Sequence, residues 1–182
     1  MHKRRRNALR LLLLAAAASP LTAFGTTTQH PERLAIQALH GDSAALTRLE
    51  KIARGGNTKA QTDLGLLYST GKGVPKNYVK ADYWYKKAAA QGYAVAESNL
   101  GIAYSTGQGV PKSYVKADYW WKKAATQGNA HAEFSLGVAY YYGQGVPQDS
   151  LKALYWWKKA APQGGLGGEM AQRDIDMVEQ GG

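Results

Sequence analysis

Along the middle of the chain, apolar and small residues return at every fourth position, break off at a glycine-proline turn, and begin again. Ala96, Leu100 and Tyr104 share one face of a helix predicted from about Val95 to Thr106. Gly107 follows, suited to the left-handed conformation that closes a helix. Gly109-Val110-Pro111 makes the turn, since Pro111 cannot extend the first helix. A second helix is predicted from about Tyr114 to Thr126, with Ser113 at its N-cap and Gly128 ending it. Ala96, Gly101, Ala117 and Ala124 are small where the helices must come close. Tyr104 and Trp120 are expected to supply most of the buried area, about 150–250 Å² for each aromatic.

This helix pair is one of three. The copies read NTKAQTDLGLLYSTGKGVPKNYVKADYWYKKAAAQG (57–92), YAVAESNLGIAYSTGQGVPKSYVKADYWWKKAATQG (93–128) and NAHAEFSLGVAYYYGQGVPQDSLKALYWWKKAAPQG (129–164). They follow one another without insertion, and 18 of the 36 columns hold the same residue in all three. The second-helix cap is Asn77, Ser113 or Asp149, so the capping oxygen persists while the residue changes. A unit of this size buries its apolar face only by stacking on a neighbour, and a fixed period therefore predicts a solenoid.

The pattern A-x3-LG-x2-Y-x2-G-x-GVP-x4-KA-x-YW-x-KKAA-x-QG resembles the Sel1-like repeat (SLR), a branch of the tetratricopeptide superfamily. The resemblance covers residues 57–164 in full, and the period of 36 rather than 34 sets it apart from ordinary tetratricopeptide repeats. It implies an all-α fold, a right-handed α-solenoid of antiparallel helix pairs whose first helices line a concave face. Asn77 and Ser113 stand where the family usually has Asp, which Asp149 keeps.

The ends read differently. Residues 31–56 form a degenerate helical pair, Glu32–His40 and Ser43–Arg54, without the G-x-GVP turn. In residues 165–182 the run Gly164-Gly165-Leu166-Gly167-Gly168 reads as a flexible break. After it comes a short capping helix, Glu169 to Glu179, with Ala171, Ile175 and Val178 on one face. Residues 1–25 combine Lys3, Arg4, Arg5, Arg6 and Arg10, the apolar stretch Leu11–Ala18, and Ala23-Phe24-Gly25. That is the make-up of a cleavable signal peptide, cut after Gly25, and the apolar stretch is too short to span a bilayer. A periplasmic or secreted mature chain follows, with no membrane span.

The full chain carries a formal charge of +10, and five of those charges lie in the leader. Most of the remainder is in paired lysines, Lys86-Lys87, Lys122-Lys123 and Lys158-Lys159, which read as solvated ends of helices and not as a nucleic-acid surface. There is no cysteine, so disulfides and thiol chemistry are excluded. The histidines, His2, His30, His40 and His131, show no i, i+4 metal spacing, and no nucleophile elbow or phosphate loop is present. The chain reads as non-enzymatic, with no cofactor and no metal site.

Columns turned away from the Ala-Leu-Tyr stripe of the first helices are the candidate ligand-binding positions. They are Lys59, Thr62, Leu66, Ser69 and Thr70; Val95, Ser98, Ile102, Ser105 and Thr106; and His131, Phe134, Val138, Tyr141 and Tyr142. The groove they form would pass from polar to aromatic, with Phe134, Tyr141 and Tyr142 either exposed to a ligand or packed under the C-terminal helix. The leading reading is an exported scaffold that holds a protein or peptide partner in the cell envelope. A carbohydrate-binding protein of polysaccharide or peptidoglycan traffic is one alternative, and a secreted effector binding a host protein is another.

Overall fold

The computed structural model describes residues 30–180, so the expected signal peptide lies outside the described residues. Helices α1 (Pro31–Leu39) and α2 (Ser43–Arg54) precede the repeats. The three copies give α3 (Thr58–Thr70) with α4 (Tyr78–Ala89), α5 (Ala94–Thr106) with α6 (Tyr114–Thr126), and α7 (Ala130–Tyr142) with α8 (Ser150–Ala160). A 3₁₀ turn, Ala161–Gln163, leads into α9 (Gly165–Gln180). The described residues contain no strand, and each helix packs on the next, as an all-α solenoid requires.

Each hairpin is closed by the devices visible in its sequence. The side chains of Asn77, Ser113 and Asp149 accept from the backbone amides of Lys80, Lys116 and Lys152, while their own amides donate to Tyr68, Tyr104 and Tyr140 carbonyls at 2.8–2.9 Å. Every unit's second helix is thereby tied to the last turn of its first. Gly107 ends α5 at φ 78°, in the left-handed region. Gly109, also at φ 78°, would bring a Cβ within 2.4 Å of the Tyr78 carbonyl oxygen, so the turn rests directly on the backbone of the preceding unit.

Within a unit the main packing element is a ring laid over a glycine. A Cβ on Gly101 would fall 2.2 Å from Nε1 of Trp121, and Gly137 stands in the same relation to Trp157. In the first unit the smaller Tyr85 lies over Gly65. This corrects the assignment of the burial to Trp120: Trp121 is 6% exposed, whereas Trp120 is only partly buried. The slot opened by Gly101 accepts the residue one position later. Tyr104, as expected, is buried.

The C-terminal segment departs from expectation. The glycine run after residue 164 is not a flexible break, because α9 begins at Gly165. Gly167 and Gly168 are buried, and Cβ atoms there would come within about 3 Å of the Ala130 and Ala161 backbones. The glycines permit α9 to lie close against α7 and the end of α8.

Candidate functional site

The first helices form one row of the stack. α5 and α7 pack directly on each other, and α1 packs on α3, while the second helices meet mainly the helices before and after them. Along that row run three open notches, one per junction. The first, between α1 and α3, is lined by Ile36, Leu39, Lys59, Asp63 and Leu66. The second lies between α3 and α5, with Leu66, Ser69, Tyr85, Asn99 and Ile102. The third repeats it one unit later with Ser105, Thr106, Trp121, Ser135 and Val138.

Two columns build the row. Leu66, Ile102 and Val138 occupy one position of the repeat and supply an aliphatic side chain to each notch; Leu66 is 49% exposed and Ile102 36%. Asp63, Asn99 and Ser135, three residues earlier on the same helical face, put a small polar group beside each. In the second and third notches one wall is the ring that covers a glycine, Tyr85 or Trp121. The Asp63 carboxyl is pushed above its usual range by burial, against the pull of Lys59 at 3.6 Å. Burial likewise pushes up the Tyr85 hydroxyl, although a hydrogen bond to Ser69 opposes it.

The predicted positions divide. Lys59, Leu66, Ser69, Ile102, Ser105, Thr106, Phe134 and Val138 border the three notches. Ser105 and Thr106 turn their hydroxyls onto the Ile102 carbonyl, and Ser69 and Thr70 do the same with Leu66. Val95, His131 and Tyr142 are exposed but line none of the three. Thr62 and Ser98 are buried, contrary to expectation, because their column turns into the junction with the neighbouring unit. Phe134 is also buried, in a cluster with Trp157, Ala171 and Ile175, so its ring supports α9 instead of standing free for a ligand. Tyr141 packs against that cluster, its ring 5.5 Å from that of Trp157, and Tyr142 remains 62% exposed.

Two features escaped the sequence reading. One is the polar column Asp63, Asn99 and Ser135, whose signal was its place three residues before the aliphatic column. The other is a buried acid. Glu97 and Glu133 are fully buried; Lys123 lies 3.0 Å from Glu97 and Lys159 3.3 Å from Glu133. Gln127 and Gln163 donate to the second carboxylate oxygens. In the first unit Gln61 replaces the acid and accepts from Gln91 at 3.0 Å. The lysine pairs are therefore not uniformly solvated: the second of each pair, in the last two units, neutralises a buried carboxylate.

A stack of helix pairs that offers one aliphatic and one small polar group per unit along its row of first helices is a helical-repeat scaffold. The chain belongs to the Sel1-repeat family, whose repeat matches residues 58–93, 94–129 and 130–165. Among solved structures it is similar to a protective antigen of uropathogenic Escherichia coli that displays an SLR fold. Identity is 35% and the TM-score 0.68, over 76% of this chain and 32% of that one. It is also similar to a Sel1 repeat protein of Oxalobacter formigenes, at 41% identity and TM-score 0.63, over 68% of this chain and 94% of that one. A Sel1 repeat protein of Klebsiella pneumoniae shares the fold at 20% identity and TM-score 0.52, over 83% of this chain and 78% of that one. The chain thus spans about a third of the E. coli protein. No curated protein matches it.

Proposed function

We propose that this Sel1-repeat chain is an exported scaffold that holds a protein or peptide partner in the cell envelope along the row of α3, α5 and α7. The observation that carries the reading is the register of Leu66, Ile102 and Val138, one aliphatic group per unit beside one small polar group. An extended peptide offers apolar side chains at regular intervals and backbone groups between them, and such a row can take both. Export is inferred from the basic, apolar and small-residue order of residues 1–25. The glycan reading has less to stand on, because Phe134 belongs to the core, Tyr141 packs against it, and of these three aromatics Tyr142 alone presents a largely free ring.

The test is retention of envelope proteins by residues 26–182 compared with a Leu66→Ser, Ile102→Ser double variant. Both side chains are exposed, so the variant keeps its helical signal. Loss of a retained protein by the variant supports the groove. Equal retention by both would remove it.

A further inference from the structure

The third copy differs in charge from the first two at the turn and first coil of its second helix. Asp149, the third unit's cap, also binds Lys152 at 2.9 Å, and this contact holds the Asp149 carboxyl below its ordinary range. In the first two units the cap is Asn77 or Ser113, which accepts from the backbone amide of Lys80 or Lys116 but brings no charge. Upstream of the cap stand Lys76 and Lys112, where the third unit has Gln148. Among the described residues no carboxylate lies within 4.0 Å of Lys76, Lys80, Lys112 or Lys116.

The surroundings do not cancel this charge. Lys80 lies over the Tyr68 ring at 5.0 Å and Lys116 over the Tyr104 ring at 5.4 Å. The neighbouring acids are engaged elsewhere: Glu50 with Arg54, Asp82 with Lys86, Asp118 with Lys122. Between the cations stand Val79 and Val115, 68% and 67% exposed. Lys112 also borders the third notch, so the basic edge continues the rim of the groove.

We propose that this edge of the first two units docks an acidic segment of the scaffold's protein partner, with apolar residues of that segment on Val79 and Val115. The inference rests on the protein-partner reading and adds the partner's chemistry. The confinement of the free cations to two adjacent units favours a short linear segment. A planar anionic bilayer would gain equally from the third unit, where Leu151 is 81% exposed but Lys152 is neutralised.

The copies themselves supply the variants. Asn77→Asp with Ser113→Asp keeps both caps and gives Lys80 and Lys116 the partner that Lys152 has, so folding is preserved. Asp149→Asn frees Lys152. The probe is a fluorescent peptide of alternating Glu and Ser with interspersed Leu, read by anisotropy, beside its Gln counterpart and phosphatidylglycerol vesicles. The expected result is binding of the Glu peptide alone, weakened about tenfold in the Asp double variant, strengthened by Asp149→Asn, and reduced by added salt. Unchanged binding by the Asp double variant, or retention on vesicles without peptide binding, would overturn the inference. If binding falls in the Leu66→Ser, Ile102→Ser variant but not in the Asp double variant, the groove stands and the acidic segment does not. The reverse pattern keeps the acidic segment and removes the groove.

Discussion

The second and third repeats share a backbone plan and differ in what covers them. Both lay a tryptophan over a glycine and bury a glutamate between a lysine and a glutamine. At the column of Ser98 the third repeat has Phe134, and at the column of Asp118 it has Leu154, and both replacements pack in the cluster that receives α9. The lysines follow suit. Lys122 binds Asp118 on its own helix at 2.8 Å, whereas Lys158, with no aspartate four residues before it, reaches Glu179 of α9 at 2.8 Å. Invariant columns build each unit. Variable columns record its neighbour.

If that division is right, breaking an invariant column should harm both repeats alike. Gly101→Ala and Gly137→Ala each place a methyl inside a tryptophan ring and should cost about 3 kcal/mol or more, measured by urea unfolding with tryptophan fluorescence. The variable column should instead separate them. Phe134→Ala should cost about 3 kcal/mol, while Ser98→Ala, with far less volume lost, should cost under about 1 kcal/mol. The buried acids sharpen the comparison further. Glu97→Leu strands Gln127 and should cost about 1–3 kcal/mol, but Glu97→Gln, which copies the arrangement around Gln61, should cost less. Lys158→Ala removes an ion pair exposed at both ends and should cost under about 1 kcal/mol.

The smallest effect is one of pH. The hydrogen bonds that the Lys86 and Lys122 ammonium groups donate to Asp82 and Asp118 hold those lysines above their ordinary value. Their stabilisation is fully present below the ordinary lysine value and is lost as pH rises through the raised one. Asp82→Asn with Asp118→Asn should therefore flatten the alkaline limb of the stability curve. A variant that keeps the same alkaline limb would show that these pairs do not stabilise the fold.

The turns were legible because each depends on a residue with one backbone property: Gly107 for the left-handed closure, Pro111 for the stop, and Asn77, Ser113 and Asp149 for the cap. Packing was less legible. Trp120 and Trp121 are adjacent and chemically alike, and only the slot at Gly101 decides which is buried. Glu97 sits in the first turn of its helix, where an acid ordinarily faces water, and nothing local shows that Lys123 and Gln127 enclose it. Gly165 to Gly168 read as a break because composition reports chain flexibility and not the close approach that glycine also allows. Among the groove residues, Leu66 and Ile102 were found because their column is apolar off the core stripe. For Phe134 the repeat alone left a ligand and the C-terminal helix both open as its cover, since the helix that covers it lies beyond the repeat.

The most direct measurement is a double-mutant cycle between the end of the chain and the third repeat. Unfolding free energies would be compared for the full chain and for a chain ending at Gln163, each with and without Phe134→Ser and Leu154→Asp. The account predicts coupling of about 2 kcal/mol or more, with removal of α9 costing much less once the third repeat carries the residues of the second. Additive costs would contradict it, showing that Phe134 and Leu154 stabilise the third repeat whether or not α9 is there.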